Sequence, residues 1–387
     1  MATYKRLPVT FARGEGAWLW DTDGKRYLDA LSGIAVCGLG HAHPAVRDAI
    51  CEQAGLLIHT SNIYGIAEQE RLGAMLTEAA GMDRVFFSNS GAEANEAAIK
   101  LARLHAHRRG IENPAILVAE GSFHGRTLAT LSATGNRKVQ AGFDPLVQGF
   151  VRVPFDDLEA IEIAAGNRPN IVAILVEPIQ GEGGINIPAD DYLARLRALC
   201  DREGWLLMLD EIQTGMGRTG RLFAHQHAGI QPDVMTLAKA LGNGVPIGAC
   251  LARGAAAEVF TPGTHGSTFG GNPLTCRVAR TVLETIASQD LVANAAEQGE
   301  FLLDAFRAAL QGTKGVVAMR GRGLMLGIEL DRPCADLVGR ALAAGLLINV
   351  TAERVIRLLP PLILERPQAQ QLVDSLTALI QGFLGDA

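Results

Sequence analysis

Six short apolar runs, each giving way to small and polar residues, set the strongest constraint on how this chain can fold. They open units at about 84–110, 115–135, 171–203, 205–220, 233–241 and 246–252, read as strand followed by helix. That alternation selects a mostly parallel sheet with helices on both faces. The polar residues of interest follow the apolar runs, which is where open α/β sheets place their ligands. Beyond residue 285 the pattern changes. Gly315–Arg320 and Gly323–Leu330 read as a hairpin, Leu346–Val350 and Val355–Leu358 as further strands, and 367–384 as a closing helix.

Two runs deliver chemistry. Trp205-Leu206-Leu207-Met208-Leu209 ends in Asp210, followed by Glu211-Ile212-Gln213. Asp233-Val234-Met235-Thr236-Leu237-Ala238 ends in a lone lysine, Lys239, among small and apolar residues. Such a setting strips hydration from the ammonium, disfavours the charged form and frees the amine as a nucleophile. A nucleophilic lysine with an acidic partner for a pyridinium nitrogen is what pyridoxal 5′-phosphate (PLP) chemistry asks of a protein.

A place for a phosphate precedes them. Arg84-Val85-Phe86-Phe87 reads as a strand and Ser88-Asn89-Ser90-Gly91 as a turn; from Ala92, residues Ala94, Ala97, Ala98, Leu101 and Ala102 take helical spacing. Gly91 and Ala92 therefore sit where a loop opens a helix, and unpaired N–H groups with the positive end of the helix dipole favour an anion there. An ordinary Ser-capped helix carries the same signature. The run 115–119 leads into Glu120-Gly121-Ser122-Phe123-His124-Gly125-Arg126-Thr127. There an aromatic can lie against a planar cofactor and an arginine can fork onto a carboxylate. The run 171–176 leads through Glu177-Pro178 into Ile179-Gln180-Gly181-Glu182-Gly183-Gly184.

Taken in order, Ser90-Gly91-Ala92-Glu93-Ala94-Asn95-Glu96, Phe123-His124-Gly125-Arg126-Thr127, Asp210-Glu211-Ile212-Gln213-Thr214-Gly215 and Lys239 resemble the class III PLP-dependent aminotransferases of fold type I. The resemblance runs from Trp20-Asp21 to about Pro361. It implies an α/β fold: a large PLP-binding domain over 48–285 with a mostly parallel, seven-stranded-type sheet covered by helices, and a smaller α+β domain built from 1–47 and 286–387. It also implies roles. Lys239 is similar to the lysine that holds the cofactor and shuttles a proton between substrate carbon and cofactor C4′. Asp210 resembles the partner of the pyridine nitrogen, Gln213 the hydrogen-bond partner of the ring 3-hydroxyl, and Phe123 the stacking aromatic. Gly91 and Ala92 would hold the phosphate through main chain. In Thr264–Pro273, Thr268 resembles a phosphate ligand donated by a neighbouring subunit and Ser267 a substrate contact, which implies a homodimer with a shared active site.

Within the class, Phe123-His124-Gly125-Arg126-Thr127, the short length and Gly33-Ile34-Ala35-Val36 are most similar to the acetylornithine aminotransferase branch. That implies ping-pong transfer of the terminal amino group of N-acetylornithine to 2-oxoglutarate, giving glutamate, in arginine biosynthesis. Arg357 would take the α-carboxylate of glutamate and 2-oxoglutarate, and Arg126 that of acetylornithine. Glu182 resembles a switch acid that masks Arg357 while a terminal amine is bound; an unpaired, desolvated arginine costs several kcal/mol. Two departures fall near the expected substrate entrance: Cys37 where the family often has Asn, and Gly65 where a second Tyr is common. Ornithine, succinylornithine, N-succinyl-diaminopimelate and 4-aminobutyrate are alternative donors that Arg126 does not sort. An aminomutase, or a non-catalytic PLP-binding regulator attached to a DNA-binding module, is a more distant alternative.

Composition excludes other classes. The 387 residues are 48% hydrophobic with net charge −6, and no basic run interleaved with aromatics suggests nucleic acid. No apolar span of about 18 residues suggests a membrane helix, and Met1 to Phe11 lacks a signal-peptide core. Six cysteines without Cys-x-x-Cys spacing point to a reduced, cytoplasmic, metal-free protein. Gly215–Gly220 matches the dinucleotide-binding glycine string, but no helix opens on its third glycine, and it reads as a flexible loop. The pairs His41/His43, His105/His107 and His225/His227 lack an acidic ligand at metal-site spacing. His124 is expected to pack or hydrogen-bond beside the ring.

Overall fold

In the computed structural model, which describes residues 1–385, the chain opens with three antiparallel strands, β1 (Phe11–Glu15), β2 (Trp18–Asp21) and β3 (Arg26–Asp29). The central sheet follows: β4 (Arg84–Ser88), β5 (Ala115–Ala119), β6 (Phe150–Val153), β7 (Ile171–Val176), β8 (Leu206–Asp210), β9 (Val234–Leu237) and β10 (Gly248–Ala252). Its spatial order is β4-β10-β9-β8-β7-β5-β6. The pairs from β9 across to β6 are parallel, while β10 is antiparallel to both β9 and β4. Every strand except β10 therefore points the same way, and the residues that follow those strands gather along one edge.

Strands β5, β7, β8, β9 and β10 are buried at every position. Their continuous apolar runs reflect helices on both faces. Along β8 the faces separate by alternation: Leu206 and Met208 pack with the helix Gly91–Arg108, and Leu207 and Leu209 with the helix Tyr192–Glu203. The six apolar runs omit β6. Phe150-Val151-Arg152-Val153 is short, carries a charge and lies at the sheet edge, where burial no longer enforces an apolar run. The strand–helix rhythm also breaks after β8, where residues 211–223 make turns instead of a helix. Gly215–Gly220, expected as a flexible loop, is packed into the interior, since Met216, Arg218 and Thr219 are each about 1% exposed.

The remaining strands are β11 (Val316–Arg322), β12 (Met325–Leu330), β13 (Leu346–Leu347), β14 (Asn349–Thr351) and β15 (Val355–Leu358). An antiparallel sheet of order β11-β12-β15-β14 forms the smaller unit, closed by the helix Arg366–Gly385. The run 346–350 divides at Ile348: β13 pairs in parallel with β3 and so joins the N-terminal strands, while β14 pairs with β15. No helix among the described residues is long and apolar enough to cross a membrane.

Candidate active site

A cavity of about 390 Å³ opens at the C-terminal edge of the central sheet, lined by Asn89, Gly91, Ala92, Phe123, Arg126, Asp210, Gln213 and Lys239 among others. Asp210 ends β8, buried, with both oxygens engaged. Oδ1 accepts the N–H of Ile212 at 3.1 Å, and Oδ2 accepts from Asn95 Nδ2 at 2.8 Å. His124 Nδ1 lies 2.8 Å from the same Oδ2, and because a carboxylate only accepts, that nitrogen carries the proton. Asn95 is itself oriented, since its Oδ1 accepts from Thr236 Oγ1 at 2.8 Å and its Nδ2 also reaches the His124 carbonyl at 2.8 Å. The carboxylate is thus held by side chains from two other segments and by the backbone of its own, pre-set in one orientation.

Lys239 follows β9 in a left-handed conformation, φ 47°, which a lysine adopts only when its surroundings over-determine it. Its side chain keeps partial exposure, toward the cavity it lines. Burial lowers its ammonium pKa, opposed by the charge of Glu182, reinforced by Arg357 and opposed by Asp210. The amine is therefore more readily available as a nucleophile than that of a surface lysine.

At the far wall, Ser90 caps the helix Gly91–Arg108, its Oγ accepting the Glu93 N–H at 3.2 Å, while Glu93 Oε2 accepts the Asn89 N–H at 2.6 Å. The Ser cap satisfies one donor and leaves Gly91 and Ala92 lining the cavity, so it does not preclude an anion there. A Cβ on Gly91 would stand 2.7 Å from Ile212 Cδ1, so only glycine lets the helix start approach this closely.

Asn95 and Glu177 are functional residues whose roles local sequence does not mark; Glu177 stands immediately after β7. Its Oε1 accepts the Phe123 N–H at 2.9 Å and its Oε2 the Gly181 N–H at 3.0 Å, so one buried carboxylate ties the loop of Phe123 to the loop of Glu182. Burial, with the charge of Asp210 beside it, pushes its pKa up to about 7. The legible signal was a carboxylate at the end of a wholly apolar strand.

Glu182, Gln213 and Arg357 come together from three distant segments. Arg357, on β15 and fully buried, donates from Nη1 to Glu182 Oε1 at 2.6 Å and to Gln213 Oε1 at 3.3 Å, and from Nε to Asn349 Oδ1 at 3.0 Å. Arg126 is exposed at the cavity mouth, its guanidinium 5.8 Å from the Phe123 ring centroid. Ser267 stands behind the wall, its Oγ accepting from Asn89 Nδ2 at 3.3 Å. Thr268 is exposed and does not line this chain's cavity. Cys37 faces a second cavity, which shares Gly244 and Val245 with the first, and Gly65 has only Glu70 near its missing Cβ. Of the paired histidines, His41 bonds Asp29 and His225 bonds Glu211. No group of three or more His, Cys, Asp or Glu among the described residues is arranged to hold a metal.

The donor set fits PLP. A helix start that has no Cβ at Gly91 suits a phosphate, a flat aromatic suits a ring face, an oriented carboxylate suits a pyridinium, and a desolvated amine suits an aldehyde.

Comparison with known proteins agrees. The family model for "Aminotransferase class-III" matches residues 1–380. The acetylornithine aminotransferase of Nitrosomonas europaea is 60% identical over 384 residues, covering 99% of this chain and 98% of that one. Among solved structures, the ornithine aminotransferase of Toxoplasma gondii superimposes with TM-score 0.97 at 36% identity, covering 100% of this chain and 93% of that one. A second structure of it (TM-score 0.94, 36% identity, covering 98% and 91%) is described as having PLP at partial occupancy in its active site. The N-acetylornithine aminotransferase of Stenotrophomonas maltophilia gives TM-score 0.87 at 39% identity, covering 100% and 99%. With this coverage and a site whose donors fit the cofactor, the chain belongs to the class-III aminotransferases and is a PLP-dependent enzyme.

Proposed function

We propose that the protein transfers the terminal amino group of N-acetylornithine to 2-oxoglutarate, yielding N-acetylglutamate 5-semialdehyde and glutamate, in arginine biosynthesis in the cytoplasm. The observation that carries this reading is the Glu182–Arg357 pair. A fully buried arginine is covered by a carboxylate that is itself 36% exposed, so the counter-ion can leave while the arginine stays. One site then has two settings. With the pair closed, a donor places its distal amine near Lys239 and its carboxylate on Arg126. With the pair open, the α-carboxylate of glutamate or 2-oxoglutarate takes the place of Glu182. The acetyl assignment is supported by the name of the relative at 60% identity, against 36% for the ornithine-named one.

Bound PLP supplies an electron sink that acidifies the amine-bearing carbon of the substrate. The chain supplies the rest. Lys239 Nζ would hold the cofactor, then take the proton from that carbon and deliver it to the cofactor's C4′. Asp210, braced by Asn95 and His124, would keep the pyridine nitrogen protonated. Phe123 would cover one ring face, Gln213 would bond the 3-hydroxyl, and the N–H groups of Gly91 and Ala92 would hold the phosphate.

The homodimer and the two-domain division, 48–285 against 1–47 with 286–387, belong to the same proposal. Exposed Leu57, Ile58, Ile63 and Tyr64 on one segment and Phe269 on another support a self-association surface. Asn62 Nδ2 donates to the carbonyls of Ser267 and Gly270 at 3.0 Å each, so this surface also carries Thr268, which would reach the partner's phosphate. The test is to mix PLP-loaded enzyme with single donors, without acceptor, and follow cofactor absorbance. N-acetylornithine and glutamate should convert the cofactor fast, and ornithine, N-succinylornithine and 4-aminobutyrate slowly. A faster rival replaces the substrate, and no conversion by any amine refutes transamination.

A further inference from the structure

We infer that Arg218 is a positioning residue for the dicarboxylate substrate, clamping the strand that carries Arg357; the inference rests on the function proposed above. Arg218 is 1% exposed and lies in the turn segment after β8, eight residues from Asp210 (218 − 210). Its Nη1 donates to the Leu324 carbonyl at 2.9 Å and also to the Pro360 carbonyl. Its own carbonyl accepts the Leu324 N–H at 2.9 Å, so Leu324 is gripped on both sides. Leu324 immediately precedes β12 and Pro360 lies two residues beyond β15. Those strands pair with Leu326 opposite Leu358 and Gly327 opposite Arg357. One guanidinium therefore pins the end of the strand pair next to Arg357.

The approach is built for contact. Gly323 has φ 55°, and a Cβ there would stand 2.4 Å from the Thr219 carbonyl carbon and 2.7 Å from the Arg218 oxygen. The base of the segment is stapled separately. Glu211 Oε1 accepts the His225 N–H at 2.9 Å and Oε2 the Ala224 N–H at 2.6 Å, so residues 211–225 form a closed arm, buried apart from the turn around Arg221.

Stability alone does not explain this arginine. Among the described residues no carboxylate compensates it, burial is the one cause acting on its pKa, which is lowered to about 9, and Nε and Nη2 have no partner. A buried, half-satisfied guanidinium is costly, and an apolar residue would pack the same space at less expense. What the guanidinium adds is a two-point link from the segment bearing Asp210 and Gln213 to the strand bearing Arg357. Arg126 lies on the Phe123 loop, outside this link.

The test uses the PLP-loaded enzyme and glutarate, an unreactive five-carbon dicarboxylate, in isothermal titration. Arg218→Met should weaken glutarate about tenfold or more, and Arg218→Lys, which keeps one donor, about threefold, because a loosened arginine no longer meets the carboxylate in register. In separate half-reactions, kcat/KM should fall at least about fivefold further for glutamate than for N-acetylornithine. Unchanged glutarate affinity, or equal losses in both half-reactions, overturns the inference. If Arg218→Met does not fold, the same ratio in Arg218→Lys decides. Arg357→Lys is the independent control: if glutarate ignores it, the assignment of Arg357 fails first, and the inference with it.

Discussion

Replacing Glu182 by Gln tests the two-setting site directly. At 2.6 Å and an effective dielectric of about 20, the gross attraction between Glu182 and Arg357 is about 6 kcal/mol. Glu182 is 36% exposed, so water returns most of that when the pair opens. A hydrogen bond to a charged partner retains about 1.5–3 kcal/mol net, and a neutral amide oxygen in its place about 1. The substitution therefore lowers the cost of opening the pair by about 0.5–2 kcal/mol, which is about 2- to 30-fold in affinity for a carboxylate that must displace it. Glutarate should bind the PLP-loaded Glu182→Gln enzyme tighter by that factor in isothermal titration. The glutamate half-reaction should show a lower KM. The N-acetylornithine half-reaction should lose kcat/KM, because a buried, uncovered guanidinium now faces the terminal amine. Glutarate affinity that stays the same or weakens would refute competition between Glu182 and the substrate.

Asn95→Ala removes one of two side-chain donors to Asp210 Oδ2 and the acceptor of Thr236; the expected loss is about 1–3 kcal/mol in stability and at least about tenfold in kcat, read by denaturant melts and single-turnover rates. Although burial opposes its charge, the bond to Asp29 raises His41 to about 9, above its unfolded value of 6.5. Its contribution, up to about 3 kcal/mol, is then fully present below the unfolded pKa and lost as pH rises through the folded one; His41→Gln should flatten that decline in unfolding free energy. Gly91→Ala drives a methyl to 2.7 Å from Ile212 Cδ1, and PLP should be lost faster on dialysis, with partial recovery in the Gly91→Ala/Ile212→Ala double variant; retention equal to wild type would place the phosphate elsewhere.

Reading the sequence reached those parts of the site whose chemistry is local. Lys239 and Asp210 stand out because each ends an apolar strand, and Gly91 and Ala92 because a strand turns into a helix there. Local pattern also located six of the seven central strands, while missing β6, which lies at an edge and is not forced to be apolar. Arg126 shows locally only as an arginine after a strand end, and Glu182 and Arg357 emerge through family resemblance alone, since nothing in their immediate neighbours sets them apart from surface charges. The antiparallel β10, the division of residues 346–350 between two sheets, and the burial of Gly215–Gly220 depend on which surface each segment meets, and the same apolar run serves either orientation. The meeting of Glu182 with Arg357, the brace of Asn95 on Asp210 and the grip of Arg218 on Leu324 join positions more than 100 residues apart. By itself the sequence determined the elements and the reactive groups at their ends, because backbone periodicity and side-chain chemistry act over a few residues. Only the tertiary structure decided which charges pair and which carbonyls are held, because hydrogen bonds require distances that folding alone brings about.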